Sequence, residues 1–227
     1  MMLSESMLRT GRYLRTHKDI FPYLFILSLS VAILLTREVN VRPSSFISTV
    51  ISVSIALLSI IIRWLSMRTD AERMPELIKA KGIYSVVRHP MYISNFLMVF
   101  ALSLYLGILW YLVFVTFFSV LITERIVFQK ENCQHNKYGE DFKTWCKTTG
   151  ALFPRMLNWQ SAENSRTWLY TAKNIASFVL ASATIFFVIS FIKHRIIELT
   201  FGVAIGWIVA LVIVLIAYVF IKSKKIN

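Results

Sequence analysis

Acidic residues are scarce in this sequence, with 12 Asp plus Glu against 25 Lys plus Arg and a net charge of +13. Charged residues of both signs amount to only 16% of the 227 positions, too few for an ordinary water-soluble surface. Two cysteines exclude a disulfide scaffold. Seven glycines and five prolines are too few for a flexible tether or a low-complexity linker. The chain contains no G-x-G-x-x-G, no phosphate-binding P-loop and no G-x-S-x-G elbow, so nucleotide-binding sheets and serine hydrolases lack support. The apolar runs carry almost no mid-run charge, which argues against a transporter or pump that must coordinate ions within the bilayer.

Apolar residues are abundant instead, at 56% of the chain with a mean hydropathy of +0.62. They gather into runs at 20–36, 46–62, 91–122, 175–192 and 199–221. A bilayer-crossing helix needs about 20 residues. The run 91–122 is too long for one span, and Gly107 near its middle marks a tight hairpin of two shortish helices. The expected fold class is therefore all-α, a polytopic α-helical membrane protein with about six transmembrane helices. The first run follows a basic stretch with Arg9, Arg12, Arg15 and Lys18 and reads as a signal anchor.

The positive charge fits this topology. With both termini cytoplasmic, 20 Lys and Arg fall on the cytoplasmic side and 4 outside, as orientation by positive loops requires. In a bacterium this would be the inner membrane. The charge thus serves orientation and attraction to anionic lipid, and no nucleic-acid partner is implied. Gly202 and Gly206 form a small-xxx-small pair that serves either a homodimer contact or a close approach of two helices in one chain. Cys133, His135 and Cys146 lack the spacing and the fourth ligand of a zinc site, so no metal is expected.

The polar chemistry lies between the runs. Gly82-Ile83-Tyr84-Ser85-Val86-Val87-Arg88-His89-Pro90-Met91-Tyr92 sits where cytosol meets lipid. Arg88 offers a rigid fork of donors, His89 a second polar group beside it, and Pro90 suits the first turn of the entering helix. Tyr84 and Tyr92 add aromatic faces; alternatively these residues are only a positive-inside boundary with its aromatic belt. Beyond the hairpin, Glu124 and Glu131 are two turns apart on one helical face. Tyr138, Phe142 and Trp145 then form an amphipathic stripe, either an interfacial anchor or a cover folded back over the site.

In this order the motif resembles the membrane-embedded isoprenylcysteine carboxyl methyltransferase and phospholipid methyltransferase family. The matching pieces are Gly82-x-Tyr84, Arg88-His89-Pro90-Met91-Tyr92, the hairpin, Glu131, Tyr138-Gly139-x-x-Phe142-x-x-Trp145 and Pro154. The chain departs from that pattern at Lys130, where a first glutamate is usual, at Ser94 in place of glycine, and at Thr148 in place of arginine. Glu124 is a candidate replacement for the missing glutamate.

The resemblance implies transfer of a methyl group from S-adenosylmethionine to a lipid-like or prenyl-type substrate with a carboxylate or amine acceptor. Arg88, His89 and Glu131 would form the catalytic centre, and Tyr84, Arg88, His89, Pro90, Tyr92 and Glu131 would hold the cofactor. Residues 1–45 would be an N-terminal segment with the first membrane helix, 46–155 the enzyme core, and 156–227 a linker with two further helices. Two other readings stand beside it: a nicotinamide-dependent membrane reductase built on a related helical core, and a non-catalytic lipid-binding protein.

Overall fold

Lipid offers a backbone no hydrogen-bonding partner, so apolar runs of this length must satisfy their own N–H and C=O groups as helices. The computed structural model describes residues 2–17, 20–35, 46–69, 82–155, 158–161 and 168–197. In chain order the helices are α1 (Met2–Thr16), α2 (Phe21–Leu35), α3 (Phe46–Arg68), the single turn α4 (Ile83–Val86), α5 (Pro90–Leu106), α6 (Leu109–Thr148) and α7 (Trp168–Ile197). Among the described residues there is no strand, only isolated bridges between Gly82 and Gln160 and between Val87 and Gly150.

Helices α3 and α6 are long and apolar enough to cross a membrane, while α5 and residues 175–190 of α7 are shorter apolar helices. The last apolar run, with Gly202 and Gly206, lies outside the described residues.

The hairpin forms at the expected place. Gly107 ends α5 in the left-handed conformation, φ 81°, which glycine adopts without steric cost. The second arm is not short, however: α6 continues from the apolar run into the polar stretch as far as Thr148. Helix α3 likewise runs past the end of its apolar run at 62 through Arg63, and α7 runs past 192 through Lys193, His194 and Arg195.

Helices in lipid gain little from the hydrophobic effect, so close packing of small residues holds them together. On α3, Ser52, Ala56 and Ser59 recur at spacings of four and three and are all buried. Opposite them on α5 lies buried Ser94, whose carbonyl accepts the Ser59 hydroxyl at 2.8 Å. A glycine-like size at position 94 therefore serves helix packing. Tyr105 of α5 pairs with Ser190 of α7 at 2.7 Å, and Tyr111 of α6 with Ser28 of α2 at 3.0 Å. Around them Leu29, Met98, Ala101, Leu102, Phe186 and Ile189 form the core. Phe46, Leu57, Leu109, Val113 and Phe117 are exposed, as lipid-facing side chains are.

The basic N-terminal stretch is itself a helix. α1 packs on the polar half of α6, where a Cβ on Gly11 would stand 2.3 Å from the Arg125 carbonyl oxygen. Arg15 Nη1 also donates to Gln129 Oε1 at 3.4 Å.

Candidate functional site

A knot of three segments forms at the polar end of the α5–α6 hairpin. The first is 82–89. Gly82 carries φ 62°, which lets the chain turn sharply into α4, and the Ser85 hydroxyl donates to the Gly82 carbonyl at 2.7 Å. The segment is extended at Val87, bends at Arg88 and reaches His89, the N-cap of α5, with Pro90 in the first turn.

The second segment is α6 on either side of Gly139, whose φ 56° and ψ −124° break the helix. In a straight helix residues 131 and 146 would lie about 22 Å apart. Both nevertheless reach one guanidinium. Arg88 Nε donates to Glu131 Oε1 at 2.9 Å, and Arg88 Nη1 donates to the carbonyls of Cys146 at 3.0 Å and Thr149 at 2.8 Å. The break at Gly139 folds the last turns of α6 back over the site. The Arg88 cation thereby closes the carbonyl end of that helix, where the macrodipole favours positive charge.

The third segment, 149–155 with 158–160, straps the first in place. Arg88 N donates to Gly150 O at 2.8 Å, Arg155 N to Val86 O at 3.0 Å, and Gly82 N to Gln160 O at 2.7 Å. Arg155 and Asn158 also donate side-chain hydrogen bonds to the carbonyls of Lys147 and Thr148. Gly150 is indispensable in this turn, because a Cβ there would fall 1.9 Å from Phe153 O.

His89 completes the cluster. Its side chain is 1% exposed, and Nε2 lies 3.1 Å from the same Glu131 oxygen that Arg88 holds. Glu131 lies in the polar part of α6, beyond its apolar segment. Burial works to raise its pKa, but the His89 hydrogen bond and the Arg88 charge outweigh burial and hold the carboxyl below its ordinary value. His89 is shifted down, chiefly because burial penalises the imidazolium, although the Glu131 bond opposes the shift. A neutral imidazole facing an ionised carboxylate must donate from Nε2. That leaves Nδ1 as a bare acceptor, and it is buried with no partner among the described residues.

The aromatic residues frame this group. The Tyr92 ring stands edge-on to His89 at 5.9 Å, and Lys130 Nζ lies over it, 5.7 Å from the ring centroid. Phe142 is buried and meets Trp145 at 5.9 Å and His135 at 6.4 Å, so the 142–145 part of the stripe folds back as a cover.

The structure thus brings Arg88, His89 and Glu131 together, with Pro90 and Tyr92 beside them. It leaves Glu124 exposed and in none of the cluster's hydrogen bonds or ion pairs, so Glu124 does not supply a second carboxylate. The carbonyls of Cys146 and Thr149 escaped sequence reasoning because a backbone acceptor has no residue signature. The glycines at 139 and 150 were the only trace of the fold-back.

The family model for the Ergosterol biosynthesis ERG4/ERG24 family matches residues 39–157, which contain the whole knot except residues 158–160. No curated protein and no solved structure matches the chain. The match overturns the methyltransferase resemblance. Proteins of this family are reductases that use NADPH and not S-adenosylmethionine, so methyl transfer and its cofactor are withdrawn. The Arg-His-Pro segment and the later glutamate misled because they describe a membrane-interface scaffold rather than one reaction. The family consists of integral membrane proteins, in keeping with the two long apolar helices. By a match over more than half its length, this chain belongs to the ERG4/ERG24 family of ergosterol biosynthesis.

Proposed function

We propose that this protein is a nicotinamide-dependent reductase that saturates a carbon–carbon double bond in a sterol or sterol-like lipid. Family membership across 39–157 carries this reading, because that stretch holds every polar residue of the Arg88–His89–Glu131 cluster. When bound, NADPH supplies the hydride and leaves as NADP⁺, and a proton adds to the neighbouring carbon.

The residues present suit such a cofactor. Lys137, Lys143 and Lys147 are exposed on the stretch around and beyond Gly139 and supply cations for phosphate oxygens. The bare Nδ1 of His89 suits an N–H donor such as a carboxamide. In this reading Arg88 and Glu131 are positioning residues. Arg88 fixes the carboxylate, and the carboxylate fixes the tautomer of His89, as second partners of a histidine commonly do. Tyr92 sets its ring against His89, and Tyr84 and Pro90 shape the entrance to α5. Lipid-facing helices would admit the substrate sideways, and the covering turns of 140–148 would keep water from the hydride.

The finer architecture belongs to the same proposal: six spans, both termini cytoplasmic, and a core at 46–155 flanked by 1–45 and 156–227. The excess of Lys and Arg on alternate loops supports the orientation. The partners are the lipid-like substrate and membrane lipids. Whether Gly202 and Gly206 join two copies lies outside the described residues.

The test is NADPH oxidation by the purified protein in lipid nanodiscs, challenged with a panel of unsaturated sterols. Deuteride from labelled NADPH should appear in the product. Glu131→Gln and His89→Ala should each lower kcat/KM about a hundredfold, the cost of misplacing a reacting pair. Wild-type protein that oxidises no NADPH with any sterol of the panel would sink the proposal.

A further inference from the structure

Arg63 is the first charged residue of α3, after 17 uncharged positions. A positive-inside arginine normally extends along the helix to reach headgroups. Arg63 instead turns inward between three helices. Its Nη1 donates to Asn95 Oδ1 of α5 at 2.5 Å, and its guanidinium lies over the Phe178 ring of α7, 4.4 Å from the centroid. Among the described residues no carboxylate pairs with it, and its buried Nε–H has no acceptor. Tyr84, from the turn that opens the knot, lies within its electrostatic reach.

A guanidinium held by a neutral amide and an aromatic face retains both its charge and a donor. The group that completes it is an oxygen acceptor, and with Asn95 and the neighbouring Ile61 exposed a ligand dissolved in the membrane can supply one. Asn95 lies six residues along α5 from His89, about 9 Å of helix rise. A ligand with its oxygen at Arg63 would therefore place carbons some two rings away beside the knot.

We infer that Arg63 and Asn95 form a binding site for the oxygen-bearing end of a membrane-dissolved ligand, which on the reductase reading is the hydroxyl end of the sterol substrate. The site sets the depth and direction in which the substrate enters and is distinct from the Arg88–His89–Glu131 cluster.

The inference is tested by binding without any nicotinamide. The probe is the fluorescent polyene sterol dehydroergosterol and its 3-deoxy form, in phosphatidylcholine nanodiscs, with energy transfer from the protein's tryptophans as readout. The wild type should bind the hydroxyl form at least tenfold more tightly than the deoxy form. Arg63→Met should bring the hydroxyl form down to the deoxy affinity and leave the deoxy affinity unchanged. Asn95→Ala should lose part of the preference, and it serves as the second variant if Arg63→Met fails to fold. Equal affinity of the wild type for both probes, no binding of the hydroxyl form, or equal weakening of both probes by the variants would overturn the inference. Suppression of the hydroxyl preference by added phosphatidic acid would also overturn it, assigning Arg63 to a lipid phosphate. A hydroxyl preference that persists while no sterol drives NADPH oxidation would leave this site standing and overturn only the reductase reading.

Discussion

Two donors converge on a single oxygen of Glu131, and this decides the protonation states around it. The His89 hydrogen bond and the Arg88 charge keep the carboxylate ionised, burial keeps His89 neutral, and the proton of the imidazole is assigned to Nε2. The pH dependence follows. Because the folded pKa of His89 lies below its ordinary value of 6.5, the unfolded chain binds the extra proton first as pH falls. The stability that the neutral form contributes is complete above about pH 6.5 and is lost progressively below it. Glu131, also shifted down, adds a loss of the same sign at more acid pH. Thermal unfolding in detergent between pH 8 and pH 5 should show a falling Tm below 6.5, and His89→Gln should flatten the slope between 6.5 and 5. An unchanged slope in the variant would show that His89 is not the group responsible.

At the scale of elements, two glycines convert one long helix into a clasp. Gly139 lets α6 fold back, and Gly150 lets the strap pass close enough for Arg88 N and Arg155 N to find their carbonyls. Gly139 has open space around it, so its role is conformational: a side chain there would be strained by the positive φ. Gly150 has no room at all. Gly150→Ala should open the 149–155 turn at a cost of about 3 kcal/mol, toward the upper end of single substitutions. Limited proteolysis would then cut within 149–160, whereas the α3–α5 seam should keep its protection in hydrogen exchange. Cleavage no faster than in the wild type would show that the strap tolerates the methyl group.

For the whole molecule, the proposed orientation places the knot and the polar half of α6 on the cytoplasmic side. Cys133 is exposed on that half, and Cys146 is partly covered. A membrane-impermeant maleimide should label Cys133 in inside-out vesicles and leave it unlabelled in right-side-out ones. Labelling only from the outside would invert the topology and place the cofactor site on the wrong face for cytosolic NADPH. α1 belongs at this scale as well. Seated through Gly11 against α6, it rests on the same polar half as Cys133 and Gln129, whose amide donates to the Cys133 sulfur at 3.2 Å.

The helical, membrane-embedded class was legible from the apolar runs alone, because lipid leaves the backbone no other solution. Gly107 announced the hairpin for an equally local reason. The chemical types at 88, 89 and 131 were legible too, but they were consistent with more than one reaction, since a cation, an imidazole and a carboxylate at a membrane surface suit several cofactors. Only the tertiary structure paired Arg88 with Glu131 and with two helix-end carbonyls, docked α1 through Gly11, removed Glu124 from the site and turned Arg63 inward. Those outcomes depend on where a helix breaks and how closely two backbones approach, distances that arise between residues far apart in the chain and leave little trace in its order.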